Sequence, residues 1–248
     1  MKETVLITGA SGGIGSAIAL ELASCGYDIA VHYYQAQEKA EQLKEQIISK
    51  YGVQCMTVQA DVAKEEEVDR MFDSIEAELG DVSILINNAA LDAPDLFSRK
   101  DAETFRRILD VNVVGAYSCA KRAYRSMMDR EAGKIVNIAS TNGINTYYPM
   151  CFDYDASKAA LISLTHNLAV QFAPYVNVNA VAPGFIGTEK ELEGYDEEFL
   201  KQETEKILKK RYGQPEEVAR LVRFLVSEDA SYINNTVIRI DGGQMGSV

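Results

Sequence analysis

The sequence predicts an α/β fold: one doubly wound sheet of seven parallel strands with helices on both faces. Three observations carry this. Short runs rich in β-branched residues alternate with longer helix-period segments along the whole chain. A length of 248 residues with 47% hydrophobic content suits one full α/β core, and two compact domains would be crowded. No linker, internal repeat or low-complexity stretch interrupts the alternation.

The elements follow in order. The first strand candidate is Thr4–Thr8, and after it Ile14, Ile18 and Leu22 recur every four residues, stacking on one helix face. Further strands are expected at Asp28–Tyr34, Cys55–Ala60, Val82–Asn87 and Lys134–Ala139. Leu161, Leu164, Leu168 and Phe172 mark a later helix, followed by strands at Val176–Val181 and Thr236–Ile240. Strand and helix in strict alternation imply a parallel sheet covered on both faces. The stretch Glu189–Lys210 breaks the rhythm with its density of charge. It reads either as a solvated helix with acid–base pairs such as Glu205 with Lys209, or as a mobile lid. Its place after the sixth strand, on the sheet edge where such folds bind ligands, favours the lid. The expected organisation is one domain over residues 1–248 with a substrate lid at about 186–212.

Composition narrows the function. A net charge of -12 argues against a nucleic-acid partner, which needs a basic face, and against an anionic membrane surface. Cys25, Cys55, Cys119 and Cys151 form no CxxC pair, and His32 and His166 are the only histidines, so no metal site is expected. The N-terminal residues run directly into a strand, without the charged and apolar regions of a signal peptide. No apolar run approaches the ~20 residues that span a bilayer. The expected compartment is the reducing cytoplasm.

Thr8–Gly15 reads TGASGGIG, between a strand and a helix. In that position a glycine-rich turn presents backbone N–H groups and a helix N-terminus to a pyrophosphate. Gly9, Ser11, Gly13, Ile14 and Gly15 are its candidate contacts. Asp61 and Val62 end the third strand, where the Asp can face an adenine amino group. Asn88 and Ala89, in the NNAA that ends the fourth strand, let an adenosine lie against the backbone.

The fifth strand delivers Ser140 at its carboxyl end, and Tyr154 and Lys158 follow in YDASK at the head of a helix. Four-residue spacing puts the Tyr and Lys on one helix face. An ordinary tyrosine titrates near ~10, and a neighbouring ammonium favours its phenolate. Tyr154 is thus expected to have a lowered pKa and to carry a proton to or from a reacting oxygen held by Ser140. Between them lies TNGINTYYPMCFD, whose Tyr147, Tyr148, Met150 and Phe152 either line a pocket or pack under the lid. Cys151, three residues before the Tyr, is a candidate target for thiol reagents.

On these motifs the whole chain resembles the short-chain dehydrogenase/reductase family, which has a Rossmann-type fold. TGASGGIG matches its cofactor turn, and NNAA its NNAG, with Ala90 in place of the usual Gly. The resemblance implies a catalytic tetrad of Asn112, Ser140, Tyr154 and Lys158, in which the Asn bends a long helix and holds a water. It implies nicotinamide-end contacts from Pro183, Gly184 and Thr188, with Ile186 against the ring and Lys158 on the ribose hydroxyls. The chain is most similar to the 3-oxoacyl-acyl-carrier-protein reductases, which implies a homotetramer.

The implied reaction is NAD(P)-dependent reduction of a small carbonyl of 3-oxoacyl or related β-keto type. Oxidation of a sugar, polyol or steroid alcohol on the same scaffold is the alternative. A catalytically silent nucleotide sensor is a third, and the intact Ser–Tyr–Lys set speaks against it. NADP is favoured over NAD, because His32-Tyr33-Tyr34-Gln35 offers no acid to repel a 2′-phosphate. The usual base is missing too: Gly12 stands where the family often has Arg, and the nearest cation after the strand is Lys39. Tyr34, His32 or Gln35 can supply neutral hydrogen bonds instead. Independence of an acyl-carrier protein is also expected. The net charge is -12, Asp129 and Glu131 intrude among Arg130 and Lys134, the turn Phe172–Tyr175 is uncharged, and Asp196-Glu197-Glu198 is acidic.

Overall fold

The computed structural model describes residues 3–145, 147–194 and 196–245. The sheet has seven strands: β1 (Thr4–Ile7), β2 (Asp28–Tyr33), β3 (Cys55–Gln59), β4 (Val82–Asn87), β5 (Gly133–Ile138), β6 (Val176–Pro183) and β7 (Val237–Ile240). All pairings are parallel, in the order β3-β2-β1-β4-β5-β6-β7. This is the expected doubly wound sheet, with strand ends within two residues of those read from the sequence. The largest shift is in β6, which runs on to Pro183 because β7 continues to pair there, Pro183 against Ile240. A proline is tolerated at such a strand end, although its missing N–H reads as a stop in sequence.

Strand residues alternate between two apolar cores. Val5, Ile7, Ile29 and Val31 face helices α1 (Gly13–Ser24), α2 (Gln37–Tyr51) and α9 (Pro215–Val226), through Ile18, Leu22, Leu43, Ile47 and Val222. Leu6, Ala30 and Leu85 face α3 (Glu65–Leu79), α5 (Gly115–Asp129) and α6 (Phe152–Gln171), through Phe72, Ile75, Met127, Leu168 and Phe172. Helix α4 (Ala102–Leu109) joins α5 through one π-helical turn, Asp110–Val114. Among the described residues, no helix is long and apolar enough to cross a membrane.

The charged stretch folds as two short helices, α7 (Glu189–Gly194) and α8 (Glu197–Glu205). Tyr195 and the side chain of Lys190, which belong to the expected lid, lie outside the described residues, as does Thr146 of the loop before Tyr154. The anticipated Glu205–Lys209 helical pair does not form. The helix stops at Glu205, so Lys209 no longer lies one turn along it. Lys206 pairs with Glu203 at 2.7 Å instead. The chain leaves the helix to bridge Ile207 to Gln244. Tyr212 Oη then donates to the Leu200 carbonyl, and Phe185 packs against Tyr148, Phe199 and Tyr212.

Candidate active site

The carboxyl ends of β1, β2, β4, β5 and β6 open into one cavity of about 960 Å³. At one end lies the glycine turn. Gly9 adopts a left-handed φ of +64°, and its N–H donates to His32 Nδ1 at 2.9 Å. His32 Nε2 meets the Ala60 carbonyl at 3.0 Å, so the ring ties β1, β2 and β3 together as a neutral tautomer. Burial holds its pKa down to about 4, against the opposing pull of the Ala60 carbonyl and Asp61. Asn88 Nδ2 braces the turn by donating to the Thr8 and Gly9 carbonyls at 2.9 and 3.0 Å.

Helix α1 begins with no side-chain cap on Gly12 and no acid in its first turn. Its first amides lack intrahelical partners and face the cavity, the arrangement that suits an anion. A Cβ on Gly13 would sit 2.7 Å from Thr188 Cγ2, and one on Gly15 2.5 Å from the Gly9 carbonyl. The turn therefore fits the pyrophosphate of a dinucleotide by the test of its own atoms. Ser11, Ile14, Tyr34, Asp61, Val62 and Ala89 also line the cavity, as do Pro183, Gly184, Ile186 and Thr188. Asp61 is not left facing an adenine alone: both its oxygens take Arg107 Nη2, at 3.1 and 3.0 Å. Lys39, the nearest cation in sequence, pairs instead with Glu189 of α7 at 3.4 Å.

Ser140, Tyr154 and Lys158 meet at the inner end. The Tyr154 hydroxyl is hydrogen-bonded to Ser140. Lys158 is buried, with Nζ 5.3 Å from the Tyr154 ring centre and donating to the Ile138 carbonyl at 2.8 Å. Gly143 permits this convergence: a Cβ there would stand 2.6 Å from the Lys158 backbone carbon. Asn112 does not line the cavity. It sits in the π turn behind it, where Oδ1 accepts from Leu91 N at 2.7 Å. Its Nδ2 donates to the Leu91 carbonyl at 3.0 Å and to Ser157 Oγ at 2.9 Å.

One electrostatic expectation is corrected. The Tyr154 phenol is raised above its ordinary pKa, chiefly by burial and then by Asp92 and Glu191, against the hydrogen bond to Ser140. Lys158 is not among the groups that shift the phenol, and burial pushes Lys158 itself down to about 8, with Asp92 opposing. Cys151 is likewise pushed up to about 12, by burial and then Asp92, and stays a protonated, sluggish thiol.

Several of these groups escape a reading of the sequence. Asp155 accepts from Asn142 Nδ2 at 2.6 Å and from Tyr148 N at 3.1 Å, fixing the loop that follows Ser140. Tyr148 Oη reaches Glu203 of α8 at 2.9 Å. Asp153 and Lys100 form a wholly buried ion pair at 2.6 Å, at the start of α6, and the same Asp153 oxygen accepts from Tyr154 N at 2.9 Å. Asp155 lay within YDASK and Tyr148 within the loop singled out before it, but their pairings, and Lys100 and Glu203 from distant elements, were not readable.

A family model described as Enoyl-(Acyl carrier protein) reductase matches residues 9–245. The 3-oxoacyl-acyl-carrier-protein reductase of Staphylococcus epidermidis is 36% identical over 98% of this chain and 99% of its own. That of Aquifex aeolicus is 38% identical over 96% and 95%. The structure of YwfH, an NADPH dependent reductase involved in bacilysin biosynthesis, superposes with a TM-score of 0.92 at 32% identity, covering 100% of both chains. Acetoin dehydrogenase YohF from Salmonella typhimurium gives 0.88 at 32%, covering 99% and 98%. Fold, site and relatives together define an NAD(P)-dependent oxidoreductase. The chain belongs to the short-chain dehydrogenase/reductase family.

Proposed function

We propose that this protein reduces a small ketone of 3-oxoacyl or related β-keto type, with NADPH as hydride source and Tyr154 as proton donor. The observation that carries the reading is the Tyr154 hydroxyl, hydrogen-bonded to Ser140 at the inner end of the cavity with Lys158 Nζ 5.3 Å from its ring centre. A bound nicotinamide would supply a hydride to the carbonyl carbon, and the negative charge developing on oxygen would then need a proton. Ser140 Oγ and Tyr154 Oη converge to hold that oxygen, and Tyr154 gives up its proton to it. Lys158, one helical turn along with its Nζ 5.3 Å from the ring centre, favours the phenolate left behind and holds the ribose. Asn112 positions the site by tying Leu91 to Ser157.

The same reading covers the surroundings. Segment 186–212 serves as the lid, with Glu191 and Phe199 on the cavity wall. NADP is preferred to NAD, in keeping with the absence of an acid at Tyr34-Gln35. The substrate arrives free of a carrier protein, since the cavity carries Asp92 and Glu191 and the chain a charge of -12. The protein works as a cytoplasmic homotetramer without nucleic-acid or membrane partners. A second reading, oxidation of a small alcohol, draws support from the likeness to an acetoin dehydrogenase.

The test is Tyr154→Phe, which removes the proton donor and keeps the ring. Turnover of a 3-oxoacyl pantetheine thioester should fall by at least about 10²-fold, with cofactor affinity little changed. Near-normal turnover would remove Tyr154 from the mechanism. Run on the wild type with the same acyl group on a carrier protein, the assay should show no gain; a hundredfold preference for the carrier, weakened by salt, refutes the free-substrate reading.

A further inference from the structure

The adenosine end of the cavity holds a cation that no motif announces. Arg107 lies on α4, far from β2 in sequence, yet its guanidinium stands 5.8 Å from the Tyr34 ring centre. Its Nη2 is bound by both oxygens of Asp61, at 3.1 and 3.0 Å. The Asp61 side chain is buried at 6% exposure, whereas the Arg107 side chain is 36% exposed, so the acid anchors and the base faces outward. Among the described cavity-lining residues the cationic side chains are Arg107 and Lys158, and Lys158 stands beside Tyr154 at the other end. The neighbouring surface lysines are engaged elsewhere, Lys39 with Glu189 and Lys64 with Glu67.

Dinucleotide folds read the adenosine ribose at the tip of the second strand, where an acid takes the 2′-hydroxyl and a nearby arginine takes a 2′-phosphate. Here that tip supplies Tyr34 and Gln35, which line the cavity together with Arg107. We propose that Arg107, held by Asp61 and stacked on Tyr34, is the residue that binds the 2′-phosphate of NADP and so sets cofactor choice. The inference rests on NADP being the cofactor of the proposed function.

The physical case has two parts. A guanidinium is a planar fork of five donors. One nitrogen is taken by the carboxylate, which leaves the rest of the fork, already oriented, to make charge-assisted bonds to a second anion. Losing the arginine is also worse than losing one attraction. Asp61 would then stand on the same wall as an uncompensated carboxylate and repel the phosphate.

Binding, rather than turnover, tests this. Adenosine 2′,5′-bisphosphate and adenosine 5′-monophosphate differ only in the 2′-phosphate, and calorimetry gives the affinity of each for the protein. The wild type should prefer the bisphosphate at least tenfold. Arg107→Met should cut that ratio to twofold or less, and Arg107→Lys, which keeps a point charge, should retain an intermediate ratio. A wild-type ratio near one removes the NADP reading and this inference with it. A wild-type ratio of ten that persists in Arg107→Met leaves NADP standing and refutes Arg107. Equal weakening of both ligands also refutes it, because a residue that only packs the adenosine pocket would do that. If Arg107→Met melts well below the wild type, Arg107→Gln supplies the neutral variant, judged by the same ratio.

Discussion

Lys158 illustrates how burial decides the chemistry of a single side chain. The residue is only 2% exposed, and the cost of desolvating its charge brings its pKa to about 8, with Asp92 pulling the other way. It is therefore charged below about pH 8 and neutral above. The positive form favours the charge Tyr154 acquires on giving up its proton, so ketone reduction should be level on the acid side and fall as pH rises through about 8. A kcat/KM profile for the ketone locates this limb, and Lys158→Arg, charged at all working pH values, should move it upward. A limb that stays near 8 in that variant belongs to another group. The positions of Ser140, Tyr154 and Lys158 were legible because their geometry is local: a strand end, a helix turn and a four-residue spacing. Their charge states were not, because they depend first on burial and then on Asp92 after β4 and, for Tyr154, on Glu191 in α7, which no spacing connects to it. Arg107 was hidden for the same reason, 46 residues from the Asp61 it meets.

At the scale of elements, the joint between β1 and α1 shows which glycines the turn demands. A Cβ on Gly15 would stand 2.5 Å from the Gly9 carbonyl and 2.6 Å from Asn88 Nδ2, whereas one on Gly12 meets only the Gly9 carbonyl at 3.6 Å. Gly15→Ala should then carry an overpacking cost of about 1–3 kcal/mol. For a chain of this size that lowers Tm by roughly 2–4 °C per kcal/mol. Gly12→Ala should melt within about 2 °C of the wild type. Thermal melts without cofactor measure the difference; equal melts would mean the turn gives way more easily than its contacts suggest. The glycine pattern marks this turn in sequence but does not rank its members, since the ranking comes from how the turn folds back on the Gly9 carbonyl and from Asn88, which follows β4. The lid region was readable only in part. Its charge pattern located it after β6, but the pairing of Ile207 with Gln244, which ends α8 early, is a contact across the chain that helical periodicity cannot foresee.

For the molecule as a whole, the buried imidazole of His32 is a source of acid sensitivity. The unfolded chain takes up a proton on this ring near pH 6.5, the folded chain only near 4. Stability from this group is thus complete above about 6.5 and declines as pH falls to about 4, by about 3 kcal/mol in all. Denaturant unfolding at a series of pH values should show this slope in the wild type and lack it in His32→Asn, which does not titrate; identical slopes would mean the ring is not held neutral. The doubly wound architecture itself was plain in the sequence, because alternation of strand and helix leaves few other arrangements. The strand order carries a consequence for synthesis. With β1 beside β2, and β3 outside β2, the first three strands leave one edge of β1 open, and β4, β5, β6 and β7 then add outward in turn. No strand has to be inserted between two already paired. A chain emerging from its amino end can therefore lay down each strand on a finished edge, and the nucleotide turn has its sheet before the residues that face the substrate have been made.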